Sequence, residues 1–293
     1  MALLDAVLDL IQKEYHKKEP IWQKQSFLTQ TDLDFLETEC AAPSDFDPKG
    51  WRKEMLERFK KGTAPFEVRE CEYGRIIAIL DHNKQDIPWG LWARILRLYH
   101  TATPARIFLL ATPYLRQFPK KSRMIRTSNI NGGYPHITPT DINGGYTYHC
   151  NKETIMIYRA EDATRVLIHE LQHATCLDHM EYGVDQVEAE TEAWAELIYV
   201  ALLSQGKRER FHELVQKQAE WMLVQNQVVK RHMREPKQFP WRYTIGKQEV
   251  WQRWGILPEH VPSIAGEATR SLRLTFPPSP SIKQLFGVHS TLL

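Results

Sequence analysis

Only four cysteines occur in 293 residues, Cys40, Cys71, Cys150 and Cys176, and none of them falls in CxxC spacing. That scatter argues against a disulfide framework and against a cysteine-based zinc site, and a reduced, intracellular setting is the simplest expectation. Long apolar runs are also missing: nothing approaches the roughly 20 residues of a transmembrane helix. The opening MALLDAVLDLIQKEYHKK is interrupted by Asp5 and Asp9 and followed by no small-residue cleavage site. It therefore reads as an amphipathic helix with Leu4, Val7, Leu8 and Ile11 on one face, not as a signal peptide, and a cytoplasmic chain is expected. Excess charge of one sign is lacking too. The formal net charge is +2, whereas nucleic acid or an anionic membrane demands a marked basic surplus, so neither is expected as a partner.

What is present is enough apolar sequence for a substantial core, in one large domain or two ordinary ones. Residues 1–70 read as a helical N-terminal region, with helical spacing in TDLDFLETEC and GWRKEMLERFKKG separated by the turn-forming APSDFDPKG. Residues 71–235 alternate strand and helix. RIIAIL (75–80), ARIFLLA (105–111) and TIMIYR (154–159) are strand candidates, and PWGLWARILRLYH is a helix that starts at Pro88. INGGY occurs twice, at 130–134 and 142–146, and reads as two similar turn-to-strand entries. Two long helices follow TIMIYR. The first spans about 162–176; the second has Asp185 as its expected N-cap, with Glu188 closing a capping box, and stops near Gly206. A third, RERFHELVQKQAEWMLVQNQVVKRH, ends before Pro236. Residues 236–293 form a C-terminal extension with a short helix at QEVWQRWG and a Pro-rich FPPSPS tail. The expected class is α+β.

The chemistry concentrates in the first two of these long helices. His169-Glu170-Leu171-Gln172-His173 is HExxH. Positions i and i+4 share a helix face, so both imidazoles can reach one ion, and zinc favours such nitrogen ligands. Glu170 lies about 100° round the helix, placed to act on a metal-activated water as general base instead of ligating. A third ligand has to come from His179, Glu188, Glu190, Glu192 or Glu196. His179 stands where HExxHxxGxxH would put it, but Cys176 replaces the glycine that lets such a chain turn. Glu188, Glu192 and Glu196 share one helix face, and eighteen residues separate His173 from Glu192. A metal at the centre of that row would relieve its like-charge repulsion, which favours Glu192 as the ligand, with Glu188 and Glu196 orienting ligands around it; Glu190 points elsewhere.

HExxH followed at that distance by Glu192-Ala193-Trp194-Ala195 resembles the gluzincin metallopeptidases, in which a ligand glutamate on the next helix precedes a small residue, an aromatic and alanine. Alanine replaces the commoner glycine at 193. The stretch from NGGYT to the second helix, about 65 residues, also looks like HExxH proteins of large DNA viruses that carry no known activity. The gluzincin resemblance implies a zincin-like catalytic domain: one Zn²⁺ per chain and hydrolysis of peptide bonds. It further implies a substrate edge strand, here Gly144, Gly145 and Tyr146 within GGYTYH, and an oxyanion donor, for which Tyr243, His232 and Tyr199 are candidates. Basic clusters at RQFPKKSRMIR (116–126) and VVKRHMR (228–234) leave room for an acidic polypeptide substrate. The alternatives are a metzincin-type protease using His179, and a binding or scaffolding module that keeps zinc for structure.

Overall fold

The computed structural model describes residues 2–120, 134–257 and 267–293. The nearly uninterrupted apolar runs at 75–80 and 105–111 belong to strands buried on both faces, the usual situation of parallel strands. β3 (Gly74–Leu80) and β4 (Ala105–Ala111) pair in parallel, with Ile76 opposite Ile107 and Leu80 opposite Ala111. The crossover between them carries α4 (Trp89–Leu98). β6 (Ile155–Ile157) adds in parallel to β4, and β5 (Gly145–Tyr146) closes that edge antiparallel to β6. On the other side β2 (Phe66–Cys71) and β1 (Gln23–Gln25) add antiparallel, giving one mixed sheet in the order β1-β2-β3-β4-β6-β5. The N-terminal region, expected to be helical, thus contributes two strands as well. These strands lie next to helices α1 (Ala2–His16), α2 (Gln30–Ala41) and α3 (Trp51–Lys60).

Strand side chains alternate between two cores, as the period of two requires. Ile76, Ala78, Leu80, Ile107 and Leu109 face the larger one, which is filled from α1, α4, α6 (Ala163–Ala174), α7 (Val184–Ser204), α8 (Arg208–Val229) and α9 (Ile245–Arg253). Ile77, Ile79, Phe108, Leu110 and Met156 face the smaller one, covered by α2 and α3. The larger core runs from Val7 to Leu293. The C-terminal extension is therefore woven into the body: Leu272, Leu274, Phe276, Leu292 and Leu293 are buried. Thr164, in the first turn of α6, donates from both its backbone N–H and its hydroxyl to the Leu292 carbonyl. The FPPSPS tail is ordered as well, with Ser279 capping α10 (Pro280–Leu285). The short helix α5 (Pro139–Ile142) leads into the edge strand.

Three expectations need correction. First, Cys150 and Cys176 are joined in a disulfide with Cα atoms 4.9 Å apart, although 26 residues separate them in sequence. Second, α7 is not opened by an Asp185–Glu188 capping box. Gly183 takes the cap position without a side-chain hydrogen bond, while Asp185 pairs with Arg242 at 2.6 Å. Glu188 is thereby free for the cleft. Third, Cys176 makes the post-helix turn without glycine, at φ 58°. Residues 130–133 of the first INGGY copy and residues 121–126 of the basic cluster lie outside the described residues. No helix among the described residues is long and apolar enough to cross a membrane.

Candidate metal centre

α6 supplies two members of the site. Val166, Leu167 and Ile168 bury one side of it, which turns His169, Glu170 and His173 toward a cleft open to solvent. The two imidazoles meet Nε2 to Nε2 at 3.1 Å. Glu188, from the first turns of α7, reaches both: Oε2 lies 3.5 Å from His169 Nε2, and Oε1 3.9 Å from His173 Nε2. One ligand atom from each of these three residues falls in a common cluster. A tetrahedral ion with bonds of 2.0–2.1 Å sets its ligands about 3.3 Å apart, close to these separations.

The outward nitrogens are backed by carboxylates. His173 Nδ1 lies 2.6 Å from Asp178 Oδ2, and His169 Nδ1 lies 3.1 Å from Glu192 Oε1. The first contact is a hydrogen bond; the second is close in distance but not aligned as one. Carboxylates behind both rings direct the Nε2 lone pairs inward, the arrangement usual for metal-ligating histidines. Glu192 itself is bonded through Oε2 to the Arg165 guanidinium, and Arg165 is fixed in turn by Asp162. Among the described residues the third member of the cluster is thus Glu188, while Glu192, favoured from the sequence, stands behind His169. The two carboxylates share a face of α7, but the register of α7 on α6 sends one to the Nε2 side of the histidines and the other behind His169.

Electrostatics point to a cation in the same place. Burial opposes the charged form of His169, but Glu192 and Glu188 outweigh it and hold its pKa up at about 10. Burial and the neighbouring His169 charge push His173 below its ordinary value. Burial alone would raise Glu188 and Glu192. Instead His169 and His173 hold Glu188 below the usual carboxylate range, and Arg165 and His169 do the same for Glu192. Glu188 Oε2 is buried without a hydrogen-bond partner, a cost that a cation between the imidazoles would remove. The residues present therefore fit a divalent ion of the His₂Glu type.

Glu170 does not join the cluster. Burial, reinforced by Glu188 and Glu192, pushes its pKa up to about 8. It stands against the edge strand: a Cβ on Gly145 would sit 3.2 Å from Glu170 Oε1, 2.6 Å from Val166 Cγ1 and 2.8 Å from the Met156 carbonyl. Glycine is therefore required for β5 to lie this close to α6. Tyr158 N–H donates to the Gly144 carbonyl. By antiparallel alternation the Gly145 N–H and C=O then point away from β6, to the open side of the sheet.

Other sequence candidates separate cleanly. Tyr243 lines the cleft, and burial together with Glu188 and Glu192 keeps its phenol protonated far beyond neutral pH. His232 is outside the cleft, bonded through Nδ1 to the Pro135 carbonyl and stacked on Phe118. Tyr199 is fully buried in the core behind the site. Glu196 is buried one turn beyond Glu192 and paired with Lys247 at 2.8 Å. Glu190 pairs with Arg253 at the surface. His179 is exposed, 3.3 Å from Glu181, and takes no part in the cluster; its exclusion rests on this placement, since the chain turns at Cys176 regardless. Sequence reasoning missed Asp178 and Arg165. A carboxylate five residues past the second histidine, and an arginine one turn before the first, were the available signals.

No family model matches the chain, and no curated protein or solved structure resembles it closely enough to count as a match.

Proposed function

We propose that this chain is a zinc-dependent metallopeptidase with a zincin-type catalytic core, hydrolysing peptide bonds in an extended polypeptide. The observation that carries the reading is the convergence of His169 Nε2, His173 Nε2 and Glu188 beside Glu170, which belongs to none of their pairings. A site built only to hold metal for structure has no need of a fourth, separately buried carboxylate facing the cleft. The element order β3, α4, β4, α5, β5, β6, α6, α7 supports the reading, since apart from the short α5 it follows the strand and helix order of a zincin catalytic core. The gluzincin resemblance is altered at one point: the glutamate of its EAWA stretch, Glu192, stands behind His169, and the ligand role moves to Glu188.

His169, His173 and Glu188 would hold the ion, which when bound supplies a Lewis acid and lowers the pKa of a water. Glu170, next to that position, takes the proton of the attacking water and delivers it to the leaving amine. The Gly145 N–H and C=O bind an extended substrate backbone as an added strand. The Tyr243 phenol, protonated at any working pH, donates to the oxygen that gains charge. Ile142, Val166, Val184 and Val187 give the cleft an apolar lining beside the reacting carbonyl.

One bound zinc per chain, with peptide cleavage that Glu170→Gln lowers by about 10²–10⁴-fold while zinc stays bound, is the expected result. Stoichiometric zinc without cleavage of a broad peptide library would leave a binding module; absence of zinc from protein prepared without chelators would overturn both.

A further inference from the structure

The loop leaving the edge strand is fastened to the end of α6 by three separate links, all next to the candidate metal centre. Cys150 N–H donates to the His173 carbonyl at 2.9 Å. Cys150 is joined to Cys176, three residues past His173. His149 Nε2 lies 3.0 Å from Asp178 Oδ1, and the other oxygen of Asp178 is the one bonded to His173 Nδ1. Asp178 therefore sits in a short segment that begins at the disulfide-bonded Cys176 and ends at the turn Met180–Tyr182. Cys150 and Cys176 are both exposed, so a thiol in solution can reach the bond.

The geometry points to Cys150–Cys176 as a thiol–disulfide exchange site that sets the affinity of the metal centre by holding Asp178 behind His173. The co-reactant is a dithiol. One of its thiolates attacks one sulfur and forms a mixed disulfide, and the other cysteine leaves as a thiolate and takes a proton. The second thiol of the reductant then attacks the mixed disulfide, releasing the remaining cysteine and closing its own disulfide. Two electrons pass to the protein, and a low-molecular-weight disulfide returns it to the oxidised state. In the reduced state the segment loses its covalent tie to the edge-strand loop and keeps only non-covalent ones, among them the Cys150–His173 backbone bond, the Leu177–Gln172 backbone bond and the His149–Asp178 contact, and the partner of His173 Nδ1 is loosened. Removing such partners weakens metal binding by about 10–100-fold.

This inference rests on the metal reading above, and the test separates the two. Zinc affinity is measured by chelator competition on the full chain in three forms: air-oxidised, reduced by a dithiol and desalted without oxygen, and Cys150→Ser/Cys176→Ser, which has no thiols at these positions to bind metal themselves. A thiol titration accompanies each. Two free thiols in the oxidised protein, and zinc held at least about tenfold more weakly by both the reduced chain and the double variant, are expected. Asp178→Asn should weaken binding in the oxidised form and abolish the difference between redox states. Equal affinities in all three forms, or four free thiols after oxidation, overturn the inference and leave the metal centre standing. No zinc in the oxidised form overturns both.

Discussion

Glu188 and Glu192 are one helical turn apart and chemically identical, yet their partners differ: two imidazole Nε2 atoms for the first, a guanidinium and an imidazole Nδ1 for the second. Glu188→Ala should abolish stoichiometric zinc binding and leave the fold intact. Glu192→Ala should keep zinc with affinity reduced about 10–100-fold. It should also lower stability by about 3–5 kcal/mol, because Arg165 is left buried with one partner fewer. Calorimetric zinc titration and denaturant unfolding of both variants decide the matter; the reverse pattern would restore Glu192 as ligand. Proton linkage gives a second residue-scale test on the metal-free chain. His169 is raised from 6.5 to about 10 and Glu170 from 4.5 to about 8. Between pH 6.5 and 8 the folded protein keeps protons on both groups that the unfolded chain has released, so stability falls as pH rises. The depressed His173 works in the opposite sense, but only below 6.5. Thermal unfolding in chelator should show a midpoint that declines across this window. Saturating zinc should remove the decline, since its ligands bind deprotonated. A midpoint that rises with pH in chelator would contradict this.

Among elements, the contact of β5 with α6 matters most for the cleft, and Gly145 is where they touch. Gly145→Ala places a methyl group within 2.6 Å of Val166 and 2.8 Å of the Met156 carbonyl. Neither the helix nor the sheet backbone can give way cheaply, so the edge strand must shift outward. Peptide hydrolysis should fall by at least about tenfold, in the range a displacement of about 1 Å can cost, while zinc stoichiometry stays at one. Unchanged cleavage would show that the strand does not hold substrate. The entry of α7 is the other decisive element. Because Gly183 makes the helix start and Asp185 turns to Arg242, Glu188 is spared from capping and delivered to the histidines.

For the whole molecule, distant parts of the chain converge behind the site. Leu292 is fully buried and its carbonyl accepts twice from Thr164 at the start of α6. Arg273 bonds Asp162, which also holds Arg165. The C-terminal extension is thereby part of the platform that carries HExxH. Leu292→Ala should cost about 2–5 kcal/mol by opening a cavity under that platform. Denaturant unfolding would measure it, and a loss under about 1 kcal/mol would mean the extension merely lies on the surface.

Periodicity and local chemistry made much of this legible from sequence. Apolar runs marked β3, β4 and β6, the i, i+4 spacing put His169 and His173 on one face, and Glu170 followed from the same helix geometry. Gly144 and Gly145 fall in the GGYTYH stretch expected to form the edge strand. All of these depend on neighbours a few residues apart. β1 escaped because a three-residue polar edge strand carries no hydrophobic signal, and β2, although it pairs on both sides, because Val68 is its single buried residue. The Cys150–Cys176 link, the Asp178 and Arg165 contacts and the choice of Glu188 over Glu192 depend on how segments far apart in sequence come to rest against each other. Helical spacing offers the same face to both glutamates; only the packing of α7 on α6 decides which of them meets the Nε2 atoms.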